Sequence, residues 1–289
     1  MEHELNHKMP SQQDIDRLEG KWSKLTFADN YVFGEVLASN LEVCQRLLEA
    51  VLEIPIDHVE VSAAERGFEP SPSSKGVRLD VYAKDGSGRV FDVEMQRSNA
   101  TDLVKRARYY QAAMDTGQLG KGLDYGRLPD SYVIFFCTFD PFGYGLKRYT
   151  YRRVCVENEV AMPWDGTEHV FLNATGTVGT VNDALQDVLD YLAGDNAEQS
   201  ELVRDIQQTV QRVLLSSKKR KEYVMYEWNL EDARREGKAE GKAEGKAETY
   251  EKMSKLAQAL SDHGRADELV PAMGDREILE QLFQEFGIE

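Results

Sequence analysis

Two short segments on either side of Asp85-Gly86-Ser87-Gly88 constrain this chain most strongly. From Val77 to Lys84 apolar and polar residues alternate. Val77, Leu79, Val81 and Ala83 fall on one side, and Arg78, Asp80, Tyr82 and Lys84 on the other. From Arg89 to Gln96 the alternation resumes, with Phe91, Val93 and Met95 against Asp92, Glu94 and Gln96. A period of two is the signature of a strand. Asp, Gly and Ser between two such runs are turn residues, so the pattern predicts an antiparallel hairpin with one apolar and one polar face. The apolar faces coincide only when paired residue numbers have an even sum. A two-residue Gly86-Ser87 turn would pair Lys84 with Arg89 and set polar against apolar. A three-residue loop with Gly88 in the left-handed conformation pairs Asp85 with Arg89 and puts Asp80 opposite Glu94. Facing Cβ atoms then lie ~5 Å apart. Two carboxylates that close repel unless a cation sits between them, and Mg²⁺ with oxygen ligands resolves the repulsion. An amphipathic hairpin with a solvated acidic face has the same alternation, and spacing alone leaves both readings open.

The rest of the 289-residue chain arranges itself around this hairpin. A helix capped by Asp29 is expected to run to about Leu52 and stop before Pro55. Val59 to Ala64 reads as a strand, and Glu69 to Gly76, rich in Pro and Ser, as a loop. A second helix is expected over Thr101 to Gly117. The almost wholly apolar run Tyr132 to Thr138 suits a central strand buried on both faces. Further strands are expected at Tyr149–Val156 and His169–Asn173, and two helices from Thr180 to Lys221, broken near Gly194. The fold class is therefore α/β with a helical C-terminal extension. The expected divisions are a polar arm (1–25), a core (26–178), a helical extension (179–235), a repeat (236–249) and a small helical tail (250–289). In the repeat, Gly237-Lys-Ala-Glu occurs three times. A period of four brings like charges together at i, i+4, and each Gly disfavours helix by ~1 kcal/mol. It is either a mobile linker or a helix rescued by packing. The tail carries Met253, Leu256, Leu260, Leu269, Val270, Ile278, Leu279, Leu282 and Phe283, enough for a tiny three-helix core. Its acidity opposes phosphate binding and favours oligomerisation or partner docking.

The formal net charge is -16, so contact with nucleic acid requires a local basic patch. Lys105, Arg106 and Arg108, on the helix directly after the hairpin, form the best candidate, with Lys75, Arg78 and Arg97 nearby. A solvated helix face is the alternative. Cys44, Cys137 and Cys155 lack metal-ligand spacing and read as free thiols. No apolar stretch suits a signal peptide or a membrane span, and a cytoplasmic protein is expected.

Asp80 followed by Glu94-x-Gln96 on the next strand resembles the PD-(D/E)XK nucleases. The segments FADNYVFGEVL (27–37), RLDVYAKDGSGRVFDVEMQ (78–96), KRARYYQ (105–111) and GLDYGRLPDSYVIFFCTFDPF (122–142) narrow the resemblance to that superfamily's recombination-promoting nuclease and transposase family. The resemblance implies a restriction-endonuclease-like core of helix, three-stranded antiparallel region, helix and strand. It implies that Asp80, Glu94 and the Met95 carbonyl hold Mg²⁺, with Mn²⁺ able to substitute. It also implies metal-dependent endonuclease cleavage of double-stranded DNA to 5′-phosphate products, linked to DNA mobility or recombination. Gln96 stands where many relatives carry a catalytic lysine, and as a neutral amide it orients water rather than donating charge. Gly34 stands where the family often has lysine, and Glu35 beside it offers a further carboxylate. Besides an active endonuclease, two other readings stay open. One is a catalytically weak DNA-binding protein on a nuclease scaffold, and the other is a helical assembly protein, homo-oligomeric through its C-terminal helices.

Overall fold

The computed structural model describes residues 9–68, 76–98, 102–158, 164–195 and 200–288. The loop expected at 69–76 and Lys75 lie almost entirely outside them, as does Thr101. The chain divides into two compact units, Ile15–Tyr223 and a second that contains Val224–Glu289.

From the N-terminus to the end of the Ile15–Tyr223 unit's last short helix the chain order is α1 (Gln12–Trp22), α2 (Asn30–Ser39), α3 (Leu41–Leu52), β1 (Val59–Phe68), β2 (Val77–Asp85), β3 (Val90–Gln96), α4 (Leu103–Gln118), β4 (Ser131–Cys137), β5 (Arg148–Tyr151), β6 (Thr167–Asn173), α5 (Asp183–Ala193) and α6 (Glu201–Leu215). The six strands form one sheet in the order β1-β2-β3-β4-β6-β5. The pairs β1–β2, β2–β3 and β5–β6 are antiparallel, whereas β3–β4 and β4–β6 are parallel. A parallel β3–β4 pair needs a crossover, which α4 supplies. Every residue of β4 is buried, as its apolar run predicts. Phe136 packs against Phe33 of α2, while its neighbour Phe135 packs against Tyr110 of α4. Successive side chains point to opposite faces, so α2 and α4 cover the two sides of the sheet. This is the restriction-endonuclease-like arrangement the sequence implied.

The hairpin adopts the expected register. Val81 faces Val93, Tyr82 faces Asp92 and Ala83 faces Phe91, and the same register sets Asp80 against Glu94. Gly88 has φ 92°, a conformation that glycine adopts without steric cost. Asp85 is fully buried and accepts from the Ser87 amide (3.1 Å) and hydroxyl (2.8 Å) and from the Arg89 amide (2.9 Å) and Nε (2.6 Å). One aspartate thus satisfies the loop's orphan donors and fixes its length.

The expected helix from Asp29 to Leu52 is instead two helices. Asn40 leaves helical geometry (φ −136°, ψ 89°), and its side chain caps α3 by accepting from the Val43 amide while donating to Thr209 of α6. Asn competes for backbone hydrogen bonds in this way, which apolar periodicity does not reveal. Asp29 makes no side-chain cap on α2. It accepts from the Thr26 amide and hydroxyl and pairs with Arg97. Gly194 ends α5 in the left-handed conformation, where the sequence placed the break.

In the C-terminal part, α7 runs Ser217–Asp262, followed by α8 (Leu269–Met273) and α9 (Arg276–Glu285). The repeat is helical and wholly exposed. The expected helix at 250–262 is the end of α7. Leu256, Leu260, Ala272 and Leu282 form a small core with Leu269, Leu279 and Phe283 beside it. Val270 and Ile278, expected in that core, are exposed. No helix among the described residues is long and apolar enough to cross a membrane.

Candidate functional site

Asp80 sits on β2, and Glu94, Met95 and Gln96 end β3, at the carboxyl edge of the strand that pairs in parallel with β4. The Asp80 amide donates to Glu94 Oε1 at 2.7 Å, and the Met95 amide donates to Asp80 Oδ2 at 3.1 Å. Asn30, at the start of α2, donates through Nδ2 to Asp80 Oδ2 (3.0 Å) and to the Met95 carbonyl (3.2 Å). Two carboxylates and one carbonyl oxygen therefore converge. At Gly34 an added Cβ would lie 3.3 Å from Ala64 Cβ and 3.4 Å from the Asp80 carbonyl. Here α2 runs close against β1 and β2.

The polar residues of β3 are buried, which corrects the simplest reading of the alternation, whereas Arg78 on β2 is exposed and Asp80 and Lys84 are half-buried. Asp92 and Glu94 are 0% and 3% exposed. Among the described residues no amide, hydroxyl or cationic side chain donates to either Asp92 oxygen, and its polar neighbour is the Glu94 carboxyl. Burial, with the charges of Glu94 and Asp80, pushes the Asp92 carboxyl well above the usual range. Burial and the charge of Asp80 likewise raise Glu94 to about 8, while the Asp80 amide and Arg106 pull it down. A shared proton is one way to hold such a cluster, and a cation is the other. The donor set is all oxygen and carries excess negative charge, so it fits a hard divalent cation. Among the described residues no three His, Cys, Asp or Glu side chains are arranged as a metal site. A centre here rests on two carboxylates and a backbone carbonyl.

The three basic residues of α4 separate. Lys105 and Arg108 are exposed and make no ion pair among the described residues. They line a cleft of about 230 Å³ with Arg152, Arg153 and His169. Arg106 turns inward. Its Nη2 donates to Gln96 Oε1 at 2.7 Å and lies 3.5 Å from Glu94 Oε2. Its guanidinium stacks over the rings of Phe135 (4.7 Å) and Tyr110 (5.5 Å). Gln96 also donates through Nε2 to the Ser98 carbonyl at 2.6 Å, so both ends of its amide are engaged. Arg97 is held by Asp29. Glu35 pairs with Lys219 at 2.6 Å. In the Lys218–Lys221 cluster, Lys218 and Arg220 also face carboxylates, Glu222 and Glu19.

Sequence reasoning did not single out Asn30 or Asp92, and it grouped Arg106 with its neighbours. Asp92 shares the face of Glu94 two residues on, a visible signal. That the packed fold buries this face was not visible.

Residues 25–162 match the family model described as PD-(D/E)XK nuclease family transposase. Neither the curated proteins nor the solved structures gave a match.

Proposed function

We propose, from the premise that residues 25–162 belong to the PD-(D/E)XK nuclease family transposases, that the chain is a metal-dependent endonuclease acting on double-stranded DNA in DNA mobility or recombination. The observation that carries this reading is the convergence of Asp80, Glu94 and the Met95 carbonyl on adjacent strands. These three groups would hold Mg²⁺, or Mn²⁺ in its place. Such an ion supplies Lewis-acid polarisation of the phosphate and a lowered pKa for water. Water attacks phosphorus, a P–O bond forms, and the bond to the leaving 3′ oxygen breaks. The water's proton passes to solvent, and the leaving oxygen takes one up. Lys105 and Arg108 hold the DNA backbone beside the site without reading bases. Gln96 belongs to the site through its bond to Arg106.

The test is nicking of supercoiled plasmid in Mg²⁺, Mn²⁺ and EDTA. Wild-type protein should nick with either metal and not in EDTA. Asp80→Ala and Glu94→Ala should each lose at least roughly 100-fold in rate, the scale of losing a group that organises transition-state charge. Cleavage at the wild-type rate by Asp80→Ala would rule out this mechanism.

A further inference from the structure

Arg106 differs from Arg89, another half-buried arginine beside a buried carboxylate. Arg89 makes short bonds of 2.6 Å to Asp85 and donates to the Pro55 carbonyl, so its work is structural. Arg106 reaches Glu94 only at 3.5 Å, and all its described side-chain polar contacts pass through Nη2. Its Nε is buried with no acceptor. A guanidinium has five donors in a planar fork, so most of this capacity is unspent by the protein. About a quarter of the side chain, 27%, remains accessible.

Its setting is stiff. Phe135 lies opposite Glu94 in the β3–β4 register and forms the floor under the guanidinium. Tyr110, one turn further along α4, flanks it. Gln96 holds the near edge and is itself tethered to Ser98. Two neutral side-chain types, amide and aromatic ring, thus fix a charged group whose free edge is available to an oxyanion.

We propose that Arg106 is the phosphate-binding cation of this site. It is aimed by Gln96 and donates to a non-bridging oxygen of the scissile phosphodiester, where negative charge grows during hydrolysis. Near it lie three carboxyl groups, those of Asp80, Asp92 and Glu94, and each that ionises repels an approaching phosphate. A fixed guanidinium offsets that repulsion, and its hydrogen bonds strengthen as the oxygen gains charge. Gln96 is a positioning residue, because its amide is already committed at both ends. The inference rests on the nuclease reading above.

The experiment compares wild type, Arg106→Gln, Arg106→Lys and the double variant Gln96→Lys with Arg106→Gln. Three readouts are taken: plasmid nicking, Mn²⁺ affinity by calorimetry, and binding of a DNA duplex in EDTA across salt concentrations. Arg106→Gln should nick roughly 100-fold more slowly. It should bind Mn²⁺ as tightly as wild type or more tightly, because a cation beside Glu94 is gone. Its DNA-binding salt slope should fall by about one contact. Arg106→Lys should fall between, and the double variant should recover at least roughly tenfold over Arg106→Gln, since charge returns to the same corner. Nicking within a few-fold of wild type by Arg106→Gln would overturn the proposal. So would weakened Mn²⁺ binding in a folded Arg106→Gln, which would mark the arginine as scaffolding. If Arg106→Gln does not fold, Arg106→Met takes its place, and nicking within a few-fold of wild type with an unchanged salt slope in that variant would overturn it. Absence of nicking by wild type would sink the nuclease reading alone, and the duplex-binding comparison would still decide whether Arg106 contacts phosphate.

Discussion

His169 shows how a single residue's surroundings become a measurable property of the protein. It lies on β6 opposite Val133 and Tyr151, and its Nε2 is buried without a partner. Burial, helped by the charge of Arg153, lowers its pKa from 6.5 to about 4, against the opposing pull of Asp165. As pH falls, the unfolded chain therefore takes up this proton before the folded one does. The stability that neutral His169 contributes is complete above pH 6.5 and is lost progressively towards pH 4. At 1.36 kcal/mol per unit, the loss amounts to at most roughly 3 kcal/mol. Other groups also titrate in this window, so the variant matters. Thermal melts of His169→Gln should fall less steeply between pH 6.5 and 4 than those of wild type. Parallel curves would mean that His169 titrates alike in the folded and unfolded chain. At this scale the sequence was informative where alternation alone decides: the strand faces of Asp80 and Glu94 follow from a period of two. It was uninformative where burial decides. Asp92 is as polar in sequence as any exposed aspartate, and only the packed fold makes it fully buried. The inward turn of Arg106 was hidden for the same reason, because three basic residues within four positions look alike until one of them meets Gln96.

Among the elements, α4 does the most to connect the hairpin to a substrate. Its inner face bears Ala107, Gln111 and Met114, all buried, and Arg106 toward the carboxylates. Its outer face bears Lys105 and Arg108, which share a cleft with Arg152 and Arg153 of the β5–β6 side. There Arg152 is tied to Glu168 at 2.5 Å and Arg153 to Asp165 at 2.8 Å. The two α4 cations are not neutralised in this way, which in a chain of net charge -16 makes them the stronger attraction for phosphate. Reversing both to Glu should weaken duplex binding and flatten the plot of log K against log salt by about 2, near 0.9 per lost contact. Melting temperature should stay close to wild type, since both side chains are exposed. Filter binding at several salt concentrations measures the slope. An unchanged slope would move the DNA path off this helix. The element pattern itself was legible from composition: the hairpin, the buried β4 and the break at Gly194 all follow from periodicity and turn residues. The division of the first long helix was not, because Asn40 acts through a hydrogen bond to Thr209, 169 residues away in sequence.

At the scale of the whole molecule, the question is what the C-terminal helices are for. Residues 236–249 lie within α7 and are all exposed. Such a segment is costly as a helix: its glycines at 237, 241 and 245 each disfavour it by ~1 kcal/mol, and its like charges meet at i, i+4. Favourable pairs appear at its edges, Asp232 with Arg235 before it and Glu248 with Lys252 and Glu251 with Lys255 at its end. The tail core of Leu256, Leu260, Ala272 and Leu282 is too small to hold the repeat rigid. Alongside it lies a groove of about 790 Å³ lined by Gly241, Gly245, Tyr250, Met253, Ala257 and Met273. Tyr250 and Met273 are 81% and 65% exposed. A second copy of the same helix suits such a surface, because the glycine row allows close approach and the apolar groups beside it gain burial. Association through this segment would also offset the helix's poor propensity, which no contact within the repeat does. The full-length protein should therefore be a homodimer or larger at micromolar concentration by light scattering. A chain ending at Arg235 should shift toward monomer and keep residual nicking activity, since Asp80, Glu94 and Arg106 all lie in the unit Ile15–Tyr223. Helical content should fall on dilution of the full-length protein and not of the shortened one. A full-length protein that stays strictly monomeric at micromolar concentration would exclude self-assembly as the role of this helix and leave it as an appendage for some other partner.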